Sequence, residues 1–153
     1  MNKYLLKQDW VLWNHGLNDK SWTNDSYHEI YSIQYLFDVK TILDNLSVDS
    51  LKKGMFFFMK TGIFPTWEDH HNRNGFNISY KVPLNHLKTS WNAILFKVLT
   101  DDDPNINGIS ISPKKEFNII KLWFNKNIKS LNNIIKTDNN YINDSNSRIK
   151  KHF

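Results

Sequence analysis

GISISPKKEFNIIKLWF, residues 108–124, reads as two short alternating strands joined by a lysine-bearing turn. Side chains alternate across a strand with a period of two, so Ser110, Ser112 and Lys114 share one face while Ile109 and Ile111 take the other. On the second strand Ile119, Lys121 and Trp123 share a face by the same parity. The pattern is an antiparallel hairpin with one apolar and one mixed face. Working outward, WVLWNH at residues 10–15, the Tyr/Ile-rich run up to Ile33, MFFFMK at 55–60 and ISYKVPL at 78–84 also read as strands. Leu36 to Leu46 carries Leu36, Val39, Leu43 and Leu46 at helical spacing. Leu84 to Leu99 places Leu87, Trp91, Ile94, Leu95 and Val98 on one stripe, and Asn127 to Lys136 reads as a third helix. Strands outnumber helices and βαβ signals are few. The expectation is α+β: an antiparallel sheet with helices on one face, and a loop-like tail from about residue 137.

Length and composition bound what such a domain does. At 153 residues with 40% hydrophobic and 23% charged, the chain supports one domain with a real core, spanning 1–153. No apolar run is long enough for a membrane helix, and MNKYLLKQDW lacks the features of a signal peptide, so a soluble, cytoplasmic, monomeric protein is expected. Zero cysteines exclude a disulfide scaffold, a thiol nucleophile and cysteine-ligated metals. Lys and Arg divide 18 to 2, beside 21 Asn and 16 Ile, the residues that AT-rich codons supply. An AT-rich genome, such as those of some large DNA viruses or parasites, is the reading. A net charge of +5 points weakly to a polyanionic partner.

The six Trp are more telling. Trp10, Trp13 and Trp91 fall on strand or helix patterns and read as core. Trp67, beside Glu68, lies in the loop GIFPTWEDHHNRNG (62–75), off any amphipathic pattern, and Trp22 in DKSWTNDSY is a second large aromatic among polar residues. Converging with Trp123, they would bind a flat, preferably cationic ring, each desolvated indole face adding about 0.5–2 kcal/mol of cation–π attraction to stacking. A carboxylate beside that stack accepts from the adjacent N–H donors of guanine's Watson–Crick edge, which adenine lacks. Lysines at the rim would meet phosphates as point charges. His70 and His71 read as a solvated pair, because adjacent histidines point apart in extended chain and no third metal ligand is evident. No nucleophile triad, paired carboxylates, phosphate-cradling glycine loop or acidic metal cluster stands out, so the expectation is a binding protein and not an enzyme, without cofactor.

These residues resemble the translation initiation factor 4E family, which binds the 7-methylguanosine cap of messenger RNA. The resemblance runs through Trp10-Val11-Leu12-Trp13, Lys20-Ser21-Trp22, then Gly62-Ile63, Pro65, Trp67-Glu68-Asp69, Asn72 and Gly75, followed by Trp91 and Gly108 to Trp123. It covers about residues 4 to 125 and implies a curved antiparallel sheet, a cap pocket on its concave side and three helices on its convex back. Carried over, Trp22 and Trp67 stack on the base, Glu68 hydrogen-bonds it and Trp123 meets the methyl group. Methylation makes the base cationic, so stack and carboxylate contact strengthen together.

Departures from the family fall outside that base pocket. Lys114 matches one phosphate position, whereas Asn77 and Ile119 stand where basic residues are usual, with Lys121 and Lys115 as substitutes and Lys121 favoured. Phe76 replaces the second glycine after the Trp67 loop. Lys150-Lys151 reads as a tail, with contact to the first transcribed nucleotides as the alternative. On the back, Lys40 occupies the position of the partner-docking Trp, Leu36 lies one turn earlier, Asn92 and Phe96 line the second helix, and Tyr4-Leu5-Leu6 replaces the N-terminal contact segment. The expectation is a cap-binding initiation factor that takes capped messenger RNA and a scaffold factor of the 4G type or a dedicated equivalent. The alternative is a cap-binding competitor or repressor that does not engage the usual scaffold.

Overall fold

The alternation of WVLWNH extends in both directions in the computed structural model, which describes residues 4–101, 103–126 and 139–152. Strand β1 runs Leu5–Gly16 and is followed by β2, Tyr27–Tyr35. Helix α1, Leu36–Asn45, begins directly after it, with Asp38 accepting from the backbone N–H groups of Gln34 and Tyr35 at 2.9 Å and so satisfying donors that the helix start leaves open. Ser47 caps a short helix α2, Val48–Lys53, by accepting from Ser50 N–H at 3.1 Å. Strand β3 is Gly54–Lys60, β4 is Phe76–Pro83 and helix α3 is Leu87–Thr100. The hairpin forms as β5, Ile106–Pro113, and β6, Phe117–Phe124, and the last strand, β7, is Ser147–Lys151.

All seven strands join one antiparallel sheet in the order β2-β1-β3-β5-β6-β4-β7, curved and open, with β2 and β7 as its edges. Its convex face carries Trp10, Leu12, Phe58, Ile109, Ile111, Ile120, Leu122, Ile78 and Val82 against Val39 and Ile42 of α1, Leu51 of α2 and Leu87, Trp91, Ile94, Leu95 and Val98 of α3, all buried. Lys88 ties two helices together: its ammonium donates to the carbonyl of Leu43 at 2.6 Å and to that of Leu46, occupying acceptors at the C-terminal end of α1. No helix among the described residues is long and apolar enough to cross a membrane.

The antiparallel sheet and the two longer helices follow the sequence reading. Two elements differ from it. α2 was not signalled, because six residues hold too little periodicity to register. The tail expected to be loop-like from about 137 instead contains β7, which pairs Phe76 with Lys151, Asn77 with Lys150, Ile78 with Ile149 and Ser79 with Arg148 on the outer side of β4. A five-residue edge strand with four polar residues has little hydrophobic signature, and its partner lies about seventy residues away. The helix expected over Asn127 to Lys136 lies outside the described residues.

Candidate functional site

Directly opposed residues of antiparallel strands share a face. One row therefore crosses the concave surface from Trp13 through Phe57, Ser110, Lys121 and Ser79 to Arg148, and the next from Val11 through Met59, Gly108, Trp123 and Asn77 to Lys150. The face grades from aromatic at β1 and β3 to basic at β6 and β7. A smaller apolar cluster of Phe57, Met59, Ile63 and Trp123 underlies the aromatic end.

Trp123 is anchored as the hairpin parity requires: its Nε1–H donates to Ser110 Oγ at 3.0 Å, and its ring meets Phe57 edge-on at 6.3 Å. Gly108 faces it across the strand pair, and a Cβ there would lie 2.2 Å from Met59 Sδ and 2.7 Å from the Phe58 carbonyl, so the close strand approach needs glycine.

The loop between β3 and β4 is held from inside. Gly62 turns the chain with φ of 93°, which a side chain would resist. Wholly buried Asn72 donates to the carbonyls of Thr66 at 2.9 Å and Phe64 at 3.3 Å, and Asn107 donates to Asn72 Oδ1 at 2.8 Å and to the His71 carbonyl at 2.9 Å. Asp69 accepts from Phe64 N–H at 3.1 Å and from His71 N–H at 2.8 Å, with the His71 ring Nδ1 also at 2.8 Å. Burial alone would raise the Asp69 pKa, but these hydrogen bonds and the His71 charge outweigh it and hold the carboxyl below its usual value. Gly75 closes the loop where a Cβ would sit 1.7 Å from the Phe124 carbonyl oxygen. Trp67 and Glu68 stand exposed on this frame, Trp67 at 46%.

Trp22 arrives from the β1–β2 loop. Its ring lies parallel to His15 at 3.9 Å and 6°, leaving the indole 57% exposed. His15 is wholly buried, with Nδ1 2.9 Å from the Gly16 carbonyl and Nε2 3.1 Å from the Ser21 carbonyl, which fixes the platform beneath Trp22.

These elements bring Trp22, Trp67, Glu68 and Trp123 around one cavity of about 220 Å³, completed by Tyr27, Met55, Phe57, Pro65 and Thr66. For scale, an apolar cavity of about 150 Å³ takes one benzene ring, so a bicyclic base is within range. Tyr27 touches His15, Trp22, Phe57 and Phe64 edge-on or tilted, and burial, with the charge of Glu68, pushes its hydroxyl up to about 12. His15 and Tyr27 were missed in the sequence: each occupies an ordinary strand position, and only their shared end of the β1–β2 pair reveals the role.

Beside the base cavity a second, of about 340 Å³, is lined by Trp67, Asn77, Lys121, Trp123, Lys150, Lys151 and His152. Lys121 and Asn77 thus fall at the expected place next to Trp123, and Lys114 lies near enough to act on Lys121 electrostatically. Lys115 is exposed at the hairpin turn and lines none of these cavities. His70 and His71 do not point apart as expected: the loop turns here, and their rings approach to 3.9 Å with Asp69 close by. The three ligand atoms lie within 4.8 Å, yet both Asp69 oxygens already accept hydrogen bonds of the loop, so the group fits a loop staple better than a metal site.

On the helical side, Tyr4, Leu36 and Phe96 are exposed as expected, and Lys40 points to solvent in an ion pair with Asp44 at 2.6 Å. Leu6 differs: it packs against the core, and Leu5, of opposite strand parity, is the exposed residue at 71%. Asn92 is only partly exposed. Phe37, 67% exposed and one helical turn before Lys40, was missed, because a single apolar residue off the helix stripe gives no periodic signal.

An open sheet with an aromatic cavity on its concave face, a carboxylate at the cavity edge and cations beside it has the chemistry to take a planar, charge-bearing ring attached to anionic groups. The model of the eukaryotic initiation factor 4E family matches residues 5–152, and the chain belongs to that family. Among curated proteins no sequence match is found. Solved structures are similar in fold at low identity: C. elegans eIF4E-3 in complex with the 4E-binding protein Mextli and a cap analogue (18% identity, TM-score 0.73, covering 82% of this chain and 76% of that one). Ascaris suum eIF4E-3 with m7G cap gives 19%, 0.73, 84% and 77%, and a schistosome eIF4E complexed with m7GpppG and 4E-BP gives 16%, 0.75, 84% and 76%.

Proposed function

We propose that this chain binds the 7-methylguanosine cap of messenger RNA and thereby recruits it for translation initiation. In this reading Trp22 and Trp67 sandwich the methylated base, Glu68 accepts from its ring N–H and exocyclic amine, and Trp123 meets the methyl group. The observation that carries it is the convergence of these four side chains, from three separate parts of the sequence, on one cavity. Membership in the initiation factor 4E family and the cap ligands of the similar Ascaris and schistosome proteins support it. Glu68 has a chemical role only for a base presenting adjacent donors, and the positive charge of a methylated ring strengthens both the stack and that contact. Titrating intrinsic tryptophan fluorescence with 7-methyl-GTP and with GTP tests it: strong quenching with a clear preference for the methylated ligand is expected, and equal or absent quenching would overturn it.

A protein partner is proposed for the convex helical face, either a scaffold factor or a 4E-binding protein of the kind that two of the similar structures contain. Tyr4, Leu36, Phe37 and Phe96 leave apolar surface exposed there. With Lys40 paired to Asp44 instead of an exposed Trp, the surface suits a dedicated partner. The same feature favours a second reading, in which the protein holds caps away from the usual scaffold and competes with initiation. Pull-down of a 4G-type scaffold peptide by the unaltered protein and by Lys40→Trp separates these: capture only by the variant supports the competitor.

A further inference from the structure

The platform beneath Trp22 makes a demand that a neutral histidine does not meet. The chain leaves β1 at Gly16 and turns back to lay Trp22 over the His15 ring, parallel to it at 3.9 Å and 6°. Both ring nitrogens of His15 face backbone carbonyls: Nδ1 lies 2.9 Å from the Gly16 oxygen and Nε2 lies 3.1 Å from the Ser21 oxygen. A carbonyl oxygen only accepts, and a neutral imidazole carries one N–H and one lone pair. With a single ring proton, one of the two contacts sets a bare nitrogen against an oxygen. The ring is wholly buried, so bulk water does not relieve that contact. Only the doubly protonated ring satisfies both oxygens.

The surroundings suit a cation there. Trp22 presents an indole face, which attracts positive charge. The loop itself supplies an anion: Asp19 accepts from the Ser21 N–H at 2.9 Å and from the Ser21 hydroxyl at 2.5 Å. These hydrogen bonds, with the charges of His15 and His28 adding to them and desolvation opposing, hold the Asp19 carboxyl below its usual value. Asp19 is therefore an anion wherever a histidine titrates. Ser21 links the two groups, with its N–H and hydroxyl on Asp19 and its carbonyl on His15, and the Gly16 carbonyl also accepts from the Asp19 N–H at 3.3 Å. From β2, Tyr27 meets the His15 ring edge-on at 5.0 Å; burial and then Glu68 push its hydroxyl up to about 12, so it is neutral. His28 pairs with Asn14 and so falls on the opposite face of the sheet. Opposite His15 on β3 stands the uncharged Met55, and Lys20 is exposed in the loop.

We propose that His15 is a positioning residue that works as an imidazolium: its two N–H groups tether Gly16 and Ser21, and the stacking indole of Trp22 keeps its place only while the ring holds both protons. The inference rests on the cap-binding reading for its ligand and adds a proton to that site. The charge has two consequences of opposite sign. The tether positions Trp22 for any stacking base, methylated or not. The charge lies behind the indole, on the face away from the base, and opposes only a cationic one. Loss of one ring proton therefore weakens GTP in full and 7-methyl-GTP less, so the preference for the methylated ligand widens as the grip loosens.

The first arm of the test needs neither ligand nor variant. Ring-nitrogen chemical shifts of His15 in the free, isotope-labelled protein, followed from about pH 5.5 to about pH 8.5, count its protons. Two ring N–H groups at the acidic end are expected, and a ring that keeps one bare nitrogen throughout overturns the proposal. The second arm compares the unaltered protein with His15→Phe, which keeps a ring for Trp22 to lie on and removes both N–H groups and the charge. Where the ring is doubly protonated, GTP should bind the variant about 3- to 10-fold more weakly, and the ratio of 7-methyl-GTP to GTP affinity should rise about twofold or more. Each ligand's own titration is common to both proteins, so the advantage of the unaltered protein should follow the His15 proton alone. Asp19→Asn, which removes the counter-charge, should move the change in ring shifts and the loss of that advantage together to lower pH. An advantage that ignores the proton count of the ring, as a merely structural histidine would give, overturns the proposal. Equal binding of 7-methyl-GTP and GTP by the unaltered protein would instead sink the cap reading, while a Trp22 indole resonance that shifts with the same proton in the free protein would still uphold the tether.

Discussion

Replacing Trp22 by Ala separates the two jobs a tryptophan can do, because little of this side chain is structural. It is 57% exposed and its main intramolecular contact is the parallel face of His15 at 3.9 Å. An aromatic pair contributes about 0.5–1.5 kcal/mol beyond burial. At roughly 2–4 °C per kcal/mol for a domain of this size, loss of that pairing should lower the melting temperature by about 1–6 °C, to which the partly buried area of the ring adds. The binding loss is larger. Stacking on a base is worth about 1–3 kcal/mol by alanine substitution, and the charge of a methylated ring brings the sum to about 2–4 kcal/mol. At 1.36 kcal/mol per decade this is about a 30- to 900-fold weaker Kd for 7-methyl-GTP. Calorimetric titration suits the assay, since the variant removes one of the fluorescent reporters. The loss for unmethylated GTP should be smaller, so the ratio of the two affinities should shrink. A Kd within twofold of the unaltered protein, with the fold intact, would refute the sandwich.

Three further outcomes follow from the same geometry. Glu68→Gln presents an amide where guanine's N–H groups need an anion, so 7-methyl-GTP affinity should fall about tenfold or more, and undiminished guanine preference would remove Glu68 from the site. Ser110→Ala orphans the buried Trp123 Nε1–H, at a cost of about 1–3 kcal/mol, visible as a melting temperature about 2–12 °C lower; an unchanged value would mean the indole finds another acceptor. Acid should loosen the Trp67 loop before the core. The folded Asp69 pKa lies below the unfolded value, so its contribution is fully present above about pH 3.9 and is lost as pH falls through the folded value. The protection factor of Phe64 N–H, measured against the intrinsic exchange rate at each pH, should therefore fall on acidification in the unaltered protein and already be low at neutral pH in Asp69→Asn; equal protection in both would refute the staple.

How far the sequence speaks depends on how local the signal is. Trp67 and Glu68 stood out because a large aromatic and an acid in a polar, Pro- and Gly-bounded loop satisfy no core pattern. Trp123 beside Lys121 followed from parity alone, whereas the 3.0 Å bond from Trp123 to Ser110 needed the register that pairs the two strands. His15 and Tyr27 were invisible for the opposite reason. Each fits its strand, and the aromatic platform under Trp22 exists only once the two strands pair. Leu5 and Leu6 mark a further limit: a run without alternation gives no parity, and a one-residue error exchanges the faces.

The C-terminal cations combine these limits. In Ser147–Lys151 the sequence shows a polar run ending in two lysines, which by itself is a solvated tail. Pairing with β4 decides everything: Arg148 and Lys150 fall opposite Ser79 and Asn77 and so face the concave side, while Ile149 falls opposite Ile78 and faces the other. The register, and with it the charge of the concave face, is set by partners about seventy residues earlier. Asn77 then takes a different meaning. Read along the chain it is a lost cation; read across the sheet it is a small polar residue flanked by Trp123 on one side and Lys150 on the other. A short side chain there leaves room between an indole and an ammonium, which a longer basic residue would fill. Asn77 and Lys150 therefore belong to one arrangement of the same face, and substitution at Asn77 by Arg should crowd Lys150.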